Sequence, residues 1–188
     1  MSSIPPRQFE TKTGKTVLLR TASPDDATAL LAYLREVLVS SEHLVTQADE
    51  FDVTEDHERE WIERHREAPG SLAILAESDG AVIGLLDFEC GQRRRIAHRG
   101  VLGLTVHSQY QSRGVGNALL QALIDWAEAN PSVDKLALSV APANERALCL
   151  YRKFGFLEEG RRIREIKLGP GDYEDDILMY RLVDSPDD

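Results

Sequence analysis

Val101 to Trp126 reads V-L-G-L-T-V-H-S-Q-Y-Q-S-R-G-V-G-N-A-L-L-Q-A-L-I-D-W, a strand, a tight glycine loop and a helix. Leu102, Leu104 and Val106 alternate with Gly103 and Thr105, the period of a strand. Gln109 to Arg113 is polar and leads into Gly114-Val115-Gly116. Val115, Leu119, Ala122 and Trp126 then recur at helical spacing, with Asn117, Gln121, Asp125 and Glu128 on the wet face. A glycine loop at a helix start is a place to bind phosphate. The first N–H groups there lack intrahelical partners, the helix dipole favours an anion, and glycine has no Cβ to block close approach.

The rest of the chain reads as an α/β domain. Lys15 to Arg20 predicts a strand. Ser23-Pro24-Asp25-Asp26 opens a helix with Ala27, Leu30, Leu31, Leu34 and Leu38 as its apolar stripe. Thr54 caps a second, heavily charged helix in which Trp61 and Ile62 face the sheet. Ser71 to Glu77 and Ala81 to Phe88 form a hairpin across Ser78-Asp79-Gly80. His98 to Val106 is the next strand, and Asn130-Pro131 stops the helix after the glycine loop. Lys135 to Val140 is a strand, Asn144 to Phe154 a short helix, and Phe156 to Leu168 pairs with Tyr173 to Leu182. The expected fold is one domain over residues 1–188, with residues 1–13 and 184–188 as frayed tails. Its mixed, mostly antiparallel sheet has about seven strands and four helices, and Leu102 to Val140 forms a parallel right-handed unit.

Composition narrows the function. A net charge of −10 argues against nucleic acid and allows a cationic substrate. No run of eighteen apolar residues exists to span a membrane, and the N-terminus has no apolar signal core. Cys90 and Cys149 are not spaced as a metal or redox pair, so a reducing cytoplasm is the simplest reading. His57-Glu58 lacks the second histidine of a zinc helix, and no metal is expected. Arg93 to Arg95 reads as a solvated turn.

The loop lacks the lysine of a kinase-type phosphate loop and the third glycine of a dinucleotide fingerprint. Its pattern is Q-x-x-G-x-G, Gln111 to Gly116. A second block follows: N-x-x-A-x-x-L-Y-x-x-x-G-F, with Asn144, Ala147, Leu150, Tyr151, Gly155 and Phe156. Together the two blocks resemble the GNAT superfamily of N-acetyltransferases. His98, Gly100, Glu159-Gly160, Tyr173, Asp176 and Met179 are similar to the branch with bacterial amino-acid and ribosomal-protein acetyltransferases.

The resemblance implies acetyl-CoA as co-substrate and direct attack of a primary amine, such as an amino acid, on the thioester. It implies a V-shaped split between the two central strands. Main-chain groups of Leu104, Thr105 and Val106 would pair with the pantetheine arm, and the Val106 N–H would face the thioester oxygen. Gln111, Ser112, Arg113, Gly114, Val115, Gly116 and Asn117 would surround the pyrophosphate, and Asn144 would touch pantetheine. Tyr151 would protonate the leaving thiolate. A homodimer is a further implied partner.

From the residues alone, Tyr151 also reads as a core aromatic and Asn144 as a helix N-cap. Gly103 reads as a bulge that opens the strand. Where many relatives carry a glutamate base, this chain has Gly100 and Ser139. The base is left among Glu89, His98, His107 and a water relay, and such a site suits α-amines better than alkyl amines. Acetylation of a protein N-terminus or lysine, and a non-catalytic acyl-CoA-binding module, are the alternatives.

Overall fold

A computed structural model describes residues 2–183. Its strands are β1 (Arg7–Glu10), β2 (Thr16–Thr21), β3 (Ser71–Ser78), β4 (Ala81–Cys90), β5 (Arg99–Val106), β6 (Lys135–Val140), β7 (Leu157–Gly169) and β8 (Asp172–Leu182). The helices are α1 (Ala27–Ser40), α2 (Glu55–Glu67), α3 (Val115–Glu128) and α4 (Glu145–Lys153). One eight-stranded sheet runs in the order β1-β2-β3-β4-β5-β6-β8-β7. Every neighbouring pair is antiparallel except β5–β6.

The eighth strand corrects the expected count, and it lies where a frayed tail was expected. Arg7 to Glu10 pairs with β2. Ile4 is buried, its N–H bonded to Thr21 Oγ1 at 2.9 Å, and Ser2 donates from N to Arg66 O at 2.8 Å. The polar composition and Pro5-Pro6 hide this strand because its stability comes from pairing rather than from an apolar run. The expected tail at 184–188 lies outside the described residues.

Helices cover both faces of the sheet. α3 and α4 pack with Leu72, Ile74, Leu86, Phe88 and Leu102 on one face. α1 and α2 pack with Ala73, Leu75 and Leu85 on the other. Being covered twice is why β3 is apolar almost throughout. The β3–β4 hairpin turns through Asp79 and Gly80, both at positive φ. On α1 the buried positions are Ala27, Leu30, Leu31, Tyr33 and Val37, while Leu34 and Leu38 turn partly out of the core.

Two central strands part company. β5 follows β4 along its whole length, to Gly84↔Val106. β6 follows β8 along its whole length, from Lys135↔Leu182 to Val140↔Ile177. Between them, pairing covers only Arg99↔Lys135, Gly100↔Leu136 and Val101↔Ala137. Beyond that point the strands splay, which is the expected V-shaped split. No bulge at Gly103 produces it, since Asp87↔Gly103 sits in unbroken β4–β5 register. The split comes from each strand following its outer partner.

Gly100 is required by the core. A Cβ there would lie 2.3 Å from Phe88 Cζ and 2.8 Å from the Glu89 carbonyl. Gly160 faces open space, with no atom within 4 Å of such a Cβ. Gly100→Ala should therefore destabilise the fold by about 1–3 kcal/mol in denaturant titrations, as overpacking does. Gly160→Ala should stay within about 0.5 kcal/mol of wild type. Equal effects at the two positions would contradict this packing.

Candidate active site

The split opens into a cavity of about 850 Å³. β5 forms one wall, and the alternation of an antiparallel ladder fixes what that wall offers. His107 N donates to Ile83 O at 2.9 Å and Gly91 N to Arg99 O at 3.1 Å. Odd-numbered residues of β5 therefore bond to β4. The main-chain groups of Leu104 and Val106 point the other way, into the gap where β6 has diverged. The Val106 carbonyl accepts from Gln111 Nε2 at 3.1 Å. Its N–H is left facing the cavity.

Helix α3 begins at the cavity edge. Its first intrahelical bond runs from Ala118 N to Gly114 O, so the N–H groups of Val115, Gly116 and Asn117 precede the helical ladder. Gly114 sits at φ +99°, in the left-handed region, and Ser112 at φ 59°. A Cβ on Gly116 would make ordinary contact with Leu150 at 3.4 Å, so this glycine also lets α3 approach α4.

The cavity gathers ten of the twelve residues expected at the site: Leu104, Thr105, Val106, Gln111, Ser112, Gly114, Gly116, Asn117, Asn144 and Tyr151. Two side chains are elsewhere. Val115 is buried in the core, so only its N–H can serve a ligand. Arg113 donates to Thr13 Oγ1 at 3.3 Å and lies against the Tyr110 ring, outside the cavity lining. Asn144 is the N-cap of α4, its Oδ1 accepting from Ala147 N at 3.2 Å, and it also lines the cavity.

Tyr151 is a core aromatic that also touches the cavity. Its ring packs on Phe156, centroids 5.7 Å apart, and its edge reaches the cavity. Burial, and then the charge of Asp87, push its phenol up to about 12. The proton therefore stays on Tyr151 throughout the neutral range.

Asp87 is the residue the sequence did not single out. It lies on β4 opposite Gly103 and lines the cavity. A Cβ on Gly103 would stand 2.5 Å from Asp87 Oδ1, so the glycine makes room for the carboxylate. Burial raises the Asp87 pKa above its ordinary value, and the charge of Glu89 adds to that, while buried His65 on α2 pulls it down. None of the three expected bases lines the cavity. Glu89 and His98 are exposed, and His107 pairs with Glu36 at 3.2 Å. Gly100 could not have carried a base either, because its missing side chain would point at Phe88.

Cations gather around the glycine loop. Arg146 donates to Gln111 Oε1, and Lys153 Nζ to Asn117 Oδ1 at 3.3 Å. Lys12 adjoins Thr13, the partner of Arg113, and lines the same end. Arg146 and Lys153 occupy variable positions within the Asn144 block, where a motif gives no signal.

The sequence profile described as "Acetyltransferase (GNAT) family" matches residues 27–156, more than half of the chain. The chain belongs to the GNAT acetyltransferase family. Among GNAT proteins of known identity, it is 34% identical to the L-amino acid N-acetyltransferase of Escherichia coli (strain K12) over 122 residues. That match covers 65% of this chain and 75% of the relative. A solved GNAT acetyltransferase from Streptococcus pneumoniae superposes with a TM-score of 0.86 at 28% identity, covering 89% of this chain and 99% of the other. A Salmonella typhimurium putative acetyltransferase, solved with its cofactor acetyl-CoA, gives a TM-score of 0.78 at 20% identity, with coverages of 90% and 95%. The GNAT fold thus matches over nearly the whole described chain.

The raised Asp87 pKa has a consequence for stability. A carboxyl whose pKa is higher folded than unfolded binds its proton more tightly in the native state. It costs stability once the pH rises through the folded value, and the cost vanishes below the unfolded value of ~3.9. Asp87→Asn should therefore keep or raise Tm at neutral pH, with the difference closing below ~pH 3.9. A fall of several degrees at neutral pH would mean that ionised Asp87 holds the fold together.

Proposed function

We propose that the chain is an acyl-CoA-dependent N-acetyltransferase that moves an acetyl group from acetyl-CoA to a primary amine by direct attack. The observation that carries this reading is the open edge of β5, with its glycine-cradled helix start at one end and a phenol and a carboxylate facing each other across the gap. The residues fit the co-substrate. Free N–H groups of Val115 to Asn117 and the cations Lys12, Arg146 and Lys153 suit a pyrophosphate. The edge of β5 at Leu104 and Val106 suits an extended amide-bearing arm.

In the reaction, the amine nitrogen bonds to the thioester carbon and the carbon–sulfur bond breaks. The Val106 N–H stabilises the charge that develops on the carbonyl oxygen. Asp87 takes the amine's proton, directly or through a water, in place of the glutamate that Gly100 and Ser139 do not supply. Tyr151 gives its proton to the departing thiolate and recovers one from solvent. The presence of both groups favours catalysis over a purely acyl-CoA-binding role. Two free thiols, Cys90 and Cys149, fit a reducing cytoplasm.

Acetyl-CoA at a hundredfold its Kd should stabilise the fold by ~2.7 kcal/mol, read as a rise in Tm. Gly114→Val, strained at φ +99°, should abolish that rise. No rise in wild type at millimolar ligand would remove the acetyl-CoA assignment.

Tyr151→Phe and Asp87→Asn should each lower kcat by roughly 10²–10⁴-fold with the acetyl-CoA melting shift retained. Gly103→Ala, which displaces the Asp87 carboxylate, should lower kcat in the same direction. Rapid-quench or thiol-release kinetics on the three variants measures this, and full activity in Asp87→Asn would return the base to water.

A further inference from the structure

The charge in the cavity is sorted by wall. The cations Lys12, Arg146 and Lys153 all sit by the glycine loop, tied to Gln111, Asn117 or the segment beside Thr13. The wall on the α1–α2 face of the sheet is made of Leu34, Val37 and Leu38 of α1 and of Leu44, Val45 and Phe51 of the connection from α1 to α2. Leu34 and Leu38 belong to the apolar stripe of α1 and are half-buried, Leu34 packing on the core while both line this space. Val45 is 72% exposed, an apolar side chain held at the cavity mouth. The charges deeper in are both carboxylates: Asp87 on β4 and Asp176 on β8. Arg162 reaches Asp176 at 3.6 Å from outside the cavity lining. Among the described residues, the imidazole of His43 is the only basic group on the acceptor wall.

Resting on the acetyltransferase reading, we infer that the acceptor is a primary amine on an apolar body with no carboxylate beside it, such as an α-amino amide or a peptide N-terminus. An ammonium entering here meets two carboxylates, and an apolar side chain meets an aliphatic and aromatic wall. A free amino acid would bring its own carboxylate into that negative field. The acceptor wall itself carries no guanidinium or ammonium to pair it, Arg162 lying outside the lining and already engaged with Asp176, and juxtaposed like charges are strongly disfavoured. The exclusion of the free acid is thus built from what the wall lacks as well as what it offers.

The test compares L-leucinamide with L-leucine and L-phenylalaninamide with L-phenylalanine by thiol release from acetyl-CoA. kcat/KM is calculated on the neutral-amine concentration, so basicity does not enter. The amides should exceed the free acids by roughly tenfold or more. Val45→Arg places a cation at the mouth on an exposed residue, and should narrow that gap by raising turnover of the free acids. Equal or better use of the free acids by wild type overturns the inference, and so does an unchanged gap in Val45→Arg. Acetyl-CoA raising Tm with none of the four amines acetylated also overturns it, while leaving acetyl-CoA binding in place. Loss of both the melting shift and all turnover removes the acetyltransferase reading itself.

Discussion

An interior strand whose main-chain groups have no neighbour is the constraint on which this molecule turns. β4 takes the odd-numbered groups of β5, and β6 withdraws after Ala137 because it is registered on β8. Leu104 and Val106 are left with N–H groups directed into a cleft in the middle of the sheet. A buried donor without a partner costs about 1–3 kcal/mol, so such groups call for water or a ligand. Gln111 satisfies only the Val106 carbonyl, to which it donates, and leaves these N–H groups open. The same side chain leads into the glycine loop and accepts from Arg146. Strand edge, loop and cationic rim are in this way one construction.

A second tension sits across the cleft. Asp87 is held in poorly solvated space beside a glycine that yields to it, and its charge falls on the phenol of Tyr151. Burial raises both pKa values, and the charge of Asp87 raises that of Tyr151 further, which leaves a carboxylate eager for a proton in one cavity with a phenol that keeps one. Neither arrangement favours folding. Both suit the proposed reaction, in which one proton leaves an amine and another reaches a sulfur. Behind the sheet, buried His65 and Glu58 on α2 extend the polar region beneath Asp87; His65 Nδ1 donates to Trp61 O at 2.9 Å, and its Nε2 has no partner among the described residues.

Much of this was legible in the sequence. Period-two and helical patterns located β6 without error and β5 and α3 within a few residues, and the two motif blocks brought Gln111, Asn144 and Tyr151 to one cavity. Four things were not legible, each for a tertiary reason. β1 is polar and exists through pairing with β2, which local pattern does not encode. Asp87 stands in L-L-D-F-E-C, where alternation makes it look like any solvent-facing acid, equivalent to Glu89. Only the register that sets it opposite Gly103 separates the two. Gly100 was compared with a glutamate in relatives, but the residue faces Phe88, so the comparison named the wrong side of the strand. Gly103 was read as a bulge for the same reason: its partner across the ladder was unknown.

The central claim, that β5 offers alternate main-chain groups to an acyl-CoA arm, can be read one amide at a time. Hydrogen exchange followed by NMR, with and without acetyl-CoA, resolves neighbouring residues on the strand. The Leu104 and Val106 amides should gain strong protection on binding, while the Gly103 and Thr105 amides, already bonded to β4, should change little. Protection that rises evenly along β5, or that leaves Leu104 and Val106 untouched while acetyl-CoA binds, would contradict the account.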